Sequence, residues 1–115
     1  MTTVAKLKLS GSSDGELINL ATTSSGATTI HTFCTGTGDN TYDEVYLWAF
    51  NNSTAARNIT LEDGSTSLII VQSIPAKAGL TLMMPGLVGN TTKVLKGFAA
   101  LAGCGVSGFV NQISS

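Results

Sequence analysis

The segment Tyr42–Asn52, reading Tyr-Asp-Glu-Val-Tyr-Leu-Trp-Ala-Phe-Asn-Asn, is apolar on both sides of a strand. In extended chain, alternate side chains point to opposite faces. Val45, Leu47 and Ala49 then share one face, and Tyr46, Trp48 and Phe50 share the other. A strand with one wet face alternates apolar with polar residues; this one does not, so both faces need cover. The protein's own core covers the first. The aromatic face is covered either by another layer of the same chain or by another protein, and partner contact is the reading preferred here.

Strand signals recur along the rest of the chain at short intervals, bounded by Gly, Asn, Ser and Pro, and no helical period persists. Val4–Ser10 alternates, with Ala5, Leu7 and Leu9 opposite Lys6 and Lys8. Glu16–Ala21 and the β-branched Thr28–Cys34 are the next runs. Glu44–Phe50, turned back by Asn51–Thr54 onto Arg57–Glu62 with Ile59 and Leu61 facing in, reads as the clearest hairpin unit. Leu68–Ile74 is a continuous apolar run ended by Pro75. Leu80–Met84 is a strand stopped by Pro85-Gly86, and Lys93–Leu101 and Val106–Ile113 close the chain. The pattern predicts a single all-β domain over residues 1–115. It is a β-sandwich or jelly-roll-like barrel of about eight or nine short antiparallel strands, with residues 1–10 as an N-terminal edge strand or arm. Cys34, Trp48 and Cys104 follow the order of an immunoglobulin core, but the first spacing is short for that fold.

Composition narrows the function classes. Charged residues are 11%, against about 25% in ordinary soluble domains. A folded monomer of this mass has about 6,000 Å² of surface, so most of it must be Ser, Thr, Asn, Gly and exposed apolar atoms. Such a surface repels itself weakly and suits a protein that lives in an assembly, or a neutral secreted β-domain. Net charge is −1 and there is no run of Lys or Arg, which argues against nucleic-acid binding. The N-terminal residues show no apolar signal core, and the longest apolar stretch, Phe98–Val110, is too short and Gly-rich to span a bilayer. The expectation is synthesis in the cytosol and no membrane partner. There, Cys34 and Cys104 are free, buried and small. The alternative is a bridge between them, whose loop closure is worth roughly 4 kcal/mol.

Chemistry is sparsely supplied. His31 is the one histidine. It can be combined on paper with Asp39 or Asp43 and a serine, but no serine sits in a nucleophile elbow. His31 and Cys34 point to opposite faces of a strand, so the plain reading is a histidine bonded to a backbone carbonyl. Asp39, Asp43 and Glu44 offer oxygen ligands near one loop without the dense spacing of a calcium site. No catalytic, metal or cofactor residue is assigned. For Tyr46, Trp48 and Phe50 three readings stand: core packing, a protein interface and a sugar-stacking platform.

From His31 onward the chain resembles small structural proteins encoded in tailed-bacteriophage head regions. The residues that carry the likeness are Thr29-Ile-His-Thr32, Asp43-Glu-Val-Tyr-Leu-Trp-Ala49 followed by Asn51, Ile59-Thr-Leu61, Ile74-Pro75, Pro85-Gly-Leu87 and Gly108-Phe-Val-Asn111 with Ile113. The resemblance implies a non-enzymatic virion component of capsid decoration (cement) type. Such a protein binds the outside of the head, with the major capsid protein as partner and self-association left open. A tail or head-fibre component and a carbohydrate-binding sandwich are the alternatives. The interface candidates are Tyr46, Trp48 and Phe50, together with Val4, Leu7 and Leu9 on an unpaired N-terminal strand able to add to a neighbour's sheet.

Overall fold

The computed structural model describes every residue except Met1, Thr23, Ala27, Asp39 and Thr66, so the roles suggested for Asp39 beside His31 or as an oxygen ligand lie outside the described residues. It places Val45, Leu47 and Ala49 at 0% exposure, on the core side of the central strand. The strands are β1 (Thr3–Lys8), β2 (Ile18–Asn19), β3 (Thr28–Thr32), β4 (Thr41–Asn51), β5 (Arg57–Asp63), β6 (Ile69–Ile74), β7 (Thr81–Gly89), β8 (Val94–Ala99) and β9 (Cys104–Ser114). They form two antiparallel sheets. One has the order β1-β9-β4-β7, with β2 also on β9; the other has the order β3-β8-β5-β6. The long pair β4 and β9 runs in unbroken register from Thr41↔Ser114 to Asn51↔Cys104 and forms the spine of the first sheet.

The sheets pack face to face. Ile30, Ile59, Leu61 and Leu95 from one meet Val45, Leu47, Val106 and Val110 from the other in a single core. Full burial of an aliphatic side chain of this size is worth about 1.5–3 kcal/mol, so this layer is the main source of stability. Ser10 N donates to His31 Nδ1 at 3.0 Å and Gly11 N to the Ile30 carbonyl at 2.9 Å, tying the end of β1 to β3. Across the two layers, β6 approaches β4 and β5 approaches β9.

The expected all-β sandwich is the fold found. Several details of the sequence reading change. β4 and β5 do not form a hairpin; they lie in different sheets, and the Asn51–Ala56 connection carries the chain across the sandwich. Buried Asn51 holds that crossing. Its Nδ2 donates to the Ala55 and Ile74 carbonyls at 2.9 Å each, and its Oδ1 accepts from Ser53 N. The hairpin in this region is β5–β6. β7 continues through Pro85 and Gly86 to Gly89, because an edge strand tolerates a residue with no N–H to donate. Glu16–Ala21 contributes only the two residues of β2.

Cys34 and Cys104 are both free. Cys34 N bonds Asp43 near one end of β4, and Cys104 pairs with Asn51 at the other end. Eight residues of strand separate those positions by about 27 Å, far beyond the reach of a disulfide. Trp48 is on the outer face of its sheet and not in the core, so the immunoglobulin arrangement is absent as well.

Candidate functional site

The second face of β4 is the outer face of the five-stranded sheet. Tyr46, Trp48 and Phe50 stand there part-buried, with no other layer of described residues over them. Cover comes sideways, from the neighbouring strands. β9 brings Phe109 opposite Tyr46. The two rings stack at 5.0 Å between centroids and 16° between planes, and Trp48 stacks on the same Phe109 at 6.0 Å and 27°. From β1, Lys6 Nζ sits 4.4 Å from the Phe109 centroid, a cation–π contact. Phe50 lies over Gly105, where an added Cβ would come 2.5 Å from the ring. The glycine is the seat for that aromatic side chain.

The strip continues onto β7. Leu82 stands opposite Trp48, Pro85 opposite Tyr46 and Val88 opposite Glu44, and Leu82 and Val88 are 47% and 51% exposed. Tyr46 Oη donates to Glu44 Oε1 at 2.8 Å. That bond, with smaller contributions from desolvation and the carboxylate's charge, pushes the phenol above its ordinary value. The result is a half-exposed aromatic row edged by aliphatic side chains, Lys6 and Glu44.

The N-terminal candidates separate. Val4 and Leu7 are exposed. Leu9 is 2% exposed and belongs to the core, because the chain turns inward after β1 to reach β3. Nor is β1 unpaired: it pairs with β9 from Thr3↔Ser114 to Lys8↔Phe109, leaving one edge open. Phe109, the ring on which Tyr46 and Trp48 stack, was not singled out from sequence. The alternation Phe109/Asn111 against Val110 was the available signal, and only the β4–β9 register shows which face it shares.

His31 is not bonded to a carbonyl. Its Nε2 lies 2.7 Å from Asp43 Oδ2, with both side chains buried. Its Nδ1 accepts from Ser10 N, which fixes the tautomer with the proton on Nε2. Asp43 also accepts from Cys34 N and Gln112 Nε2, each at 3.1 Å. This network joins β3, β4 and β9 and has no hydroxyl in line with the imidazole, so it braces the fold. Burial pushes the Cys34 thiol up, the neighbouring Asp43 charge adds to the effect, and burial does the same to Cys104. Neither thiol is activated as a nucleophile.

Among the described residues no cluster of three or more His, Cys, Asp or Glu could hold a metal ion. A shallow cleft of about 340 Å³ beside β8 is lined by Glu62, Lys93 and Lys96. Two of these charges are already engaged: Glu62 accepts from Gly26 N at 2.6 Å and Lys93 pairs with Asp63 at 2.8 Å. Comparison with protein-family models, curated proteins and solved structures finds no match for this chain.

Proposed function

We propose that this chain is a non-enzymatic virion protein of the capsid decoration type. It acts by pressing the outer face of its five-stranded sheet onto capsid subunits at the exterior of a phage head. The observation that carries the reading is the half-exposed row of Tyr46, Trp48, Phe50 and Phe109, extended by Leu82 and Val88. Aromatic side chains are enriched among the residues that dominate interface energies. Contiguous apolar patches with a polar rim mark interaction sites.

The remaining surface fits that role. Six Lys and Arg and seven Asp and Glu serve the whole chain, and Asp43 and Glu62 are buried. A surface so poor in charge relies on shape and apolar contact more than on steering. A cement protein meets many identical sites, and bridging two subunits makes the second contact intramolecular. That multiplies affinity by about 10²–10⁴ with no new chemistry. A protein surface suits the aromatic row better than a sugar ring does. Tyr46 and Phe109 already turn their faces to each other, whereas stacking on a sugar needs an open face.

The test is sedimentation of the purified chain with heads of the phage that encodes it. Co-sedimentation with mature, expanded heads and not with unexpanded ones is expected. Labelling confined to the tail or a single vertex, or glycan binding that Trp48→Ala abolishes, would replace the reading with one of its alternatives.

A further inference from the structure

Most edges of the two sheets are guarded against joining another chain. β1 carries Lys6 and Lys8, and β2 beside it is only two residues long. β7 carries Pro85 and shifts register twice against β4. β3 is broken by a bulge between Thr29 and His31. Its Ile30 carbonyl and Thr32 N–H are already taken by Gly11 N and Ser10 Oγ. Charges, proline, bulges, short strands and covering chain are the usual devices against edge-to-edge association.

β6 has none of them. It is a six-residue strand that, among the described residues, pairs only with β5, in unbroken register. No charged residue stands between Asp63 and Lys77. Leu68, Ile69, Ile70 and Val71 are 60%, 50%, 45% and 52% exposed. A run of this kind reads from sequence as a buried strand, yet here it lies on an open flank.

We propose that β6 is a homotypic interface, at which two copies of this chain pair antiparallel about a twofold axis and join their four-stranded sheets into one. The backbone sets the register. Asp63 N donates to the Leu68 carbonyl at 2.8 Å, so Leu68, Ile70 and Gln72 turn their backbone polar groups toward β5. Alternation along the ladder then turns those of Ile69, Val71 and Ser73 outward. A twofold axis perpendicular to the sheet at Ile70 sets Ile69 opposite Val71 of the second copy, and the reverse, each pair exchanging both N–H···O=C bonds. On the core-side face, Ile70 meets Ile70 of the second copy. A twofold contact must be complementary to itself. This strand is: apolar residues meet apolar residues and no like charges are brought together.

Leu68, Ile69, Ile70 and Val71 together expose a patch on the order of 400 Å², about half of the roughly 800 Å² per partner of a standard interface, and the backbones of the two paired edges add to it. The inference stands apart from the capsid reading, since it concerns the other sheet and needs no shell.

Sedimentation velocity of the full chain from about 1 to 100 µM tests it. The expected species has twice the 11.8 kDa chain mass. Val71→Lys is expected to weaken association at least about tenfold and leave the far-UV circular dichroism unchanged, while Trp48→Ala leaves the dimer intact. A wild-type monomer throughout this range, or a folded Val71→Lys variant that dimerises as well as wild type, overturns the proposal. If Val71→Lys misfolds, Ile70→Cys in a Cys34→Ser background decides. An oxidative cross-link between the two introduced thiols, one from each copy, supports the register, and its absence overturns it.

Discussion

Asp43→Ala is expected to lower the unfolding free energy by about 3–5 kcal/mol, the cost of breaking a buried polar pair from one side. The carboxylate is 2% exposed and accepts from His31 Nε2, Cys34 N and Gln112 Nε2. Alanine leaves the buried His31 donor and the part-buried Cys34 N–H without their acceptor, and an unpaired buried polar group costs about 1–3 kcal/mol. The loss also releases a junction between β3, β4 and β9, one of the points at which side chains pin the two sheets together. A domain of this size has about 5–15 kcal/mol to lose, so the variant is marginal at best. Urea unfolding monitored by tryptophan fluorescence measures the change. Asp43→Asn keeps an acceptor for one donor and should fall between wild type and alanine. A change below about 1 kcal/mol for Asp43→Ala would mean that the network is not a brace.

Trp48→Ala is the second large effect, and it falls on binding. Trp48 stands on the outer face, part-buried and stacked on Phe109 at 6.0 Å. Its removal empties no core position. The fold should therefore lose only about 1–2 kcal/mol, the scale of one aromatic pair and some lateral burial. A central aromatic anchor in an interface is worth about 2 kcal/mol or more, about a thirtyfold loss of affinity at each contact. If each copy bridges two subunits, the loss compounds across both contacts. Titration of labelled protein onto mature heads, with thermal unfolding of the same preparation, separates the two quantities. Unchanged binding by a folded variant removes Trp48 from the interface. Unfolding of the variant would make this face structural.

The strand content was legible in the sequence because each strand carries its own local signal. Ile59 and Leu61 against Thr60, and Val45, Leu47 and Ala49 against the aromatic residues, follow from the period of two alone. Their burial at 0–1% for Ile59, Leu61, Val45, Leu47 and Ala49 confirms the reading. Strand partners were not legible. Asn51–Ala56 has the polar composition of a hairpin turn and of a crossing between sheets alike, and which one forms depends on β9, far along the chain. The aromatic face was visible as a face, but its depth was not. Phe109, Lys6 and Gly105 decide how much of it stays open, and all three arrive through long-range pairing. Leu9 fails as a surface candidate for the same reason: its period places it with Leu7, and the turn into β3 then buries one and leaves the other exposed. Pro85 does not stop β7, because a proline ends a central strand but only roughens an edge.

Cryo-electron microscopy of mature heads saturated with this chain shows which surface meets the shell. Density is expected for one ordered copy at each lattice position, with the Trp48 and Phe109 rings buried against capsid subunits. Particles that carry no such density, or a bound copy whose aromatic row faces solvent, would contradict the proposed docking.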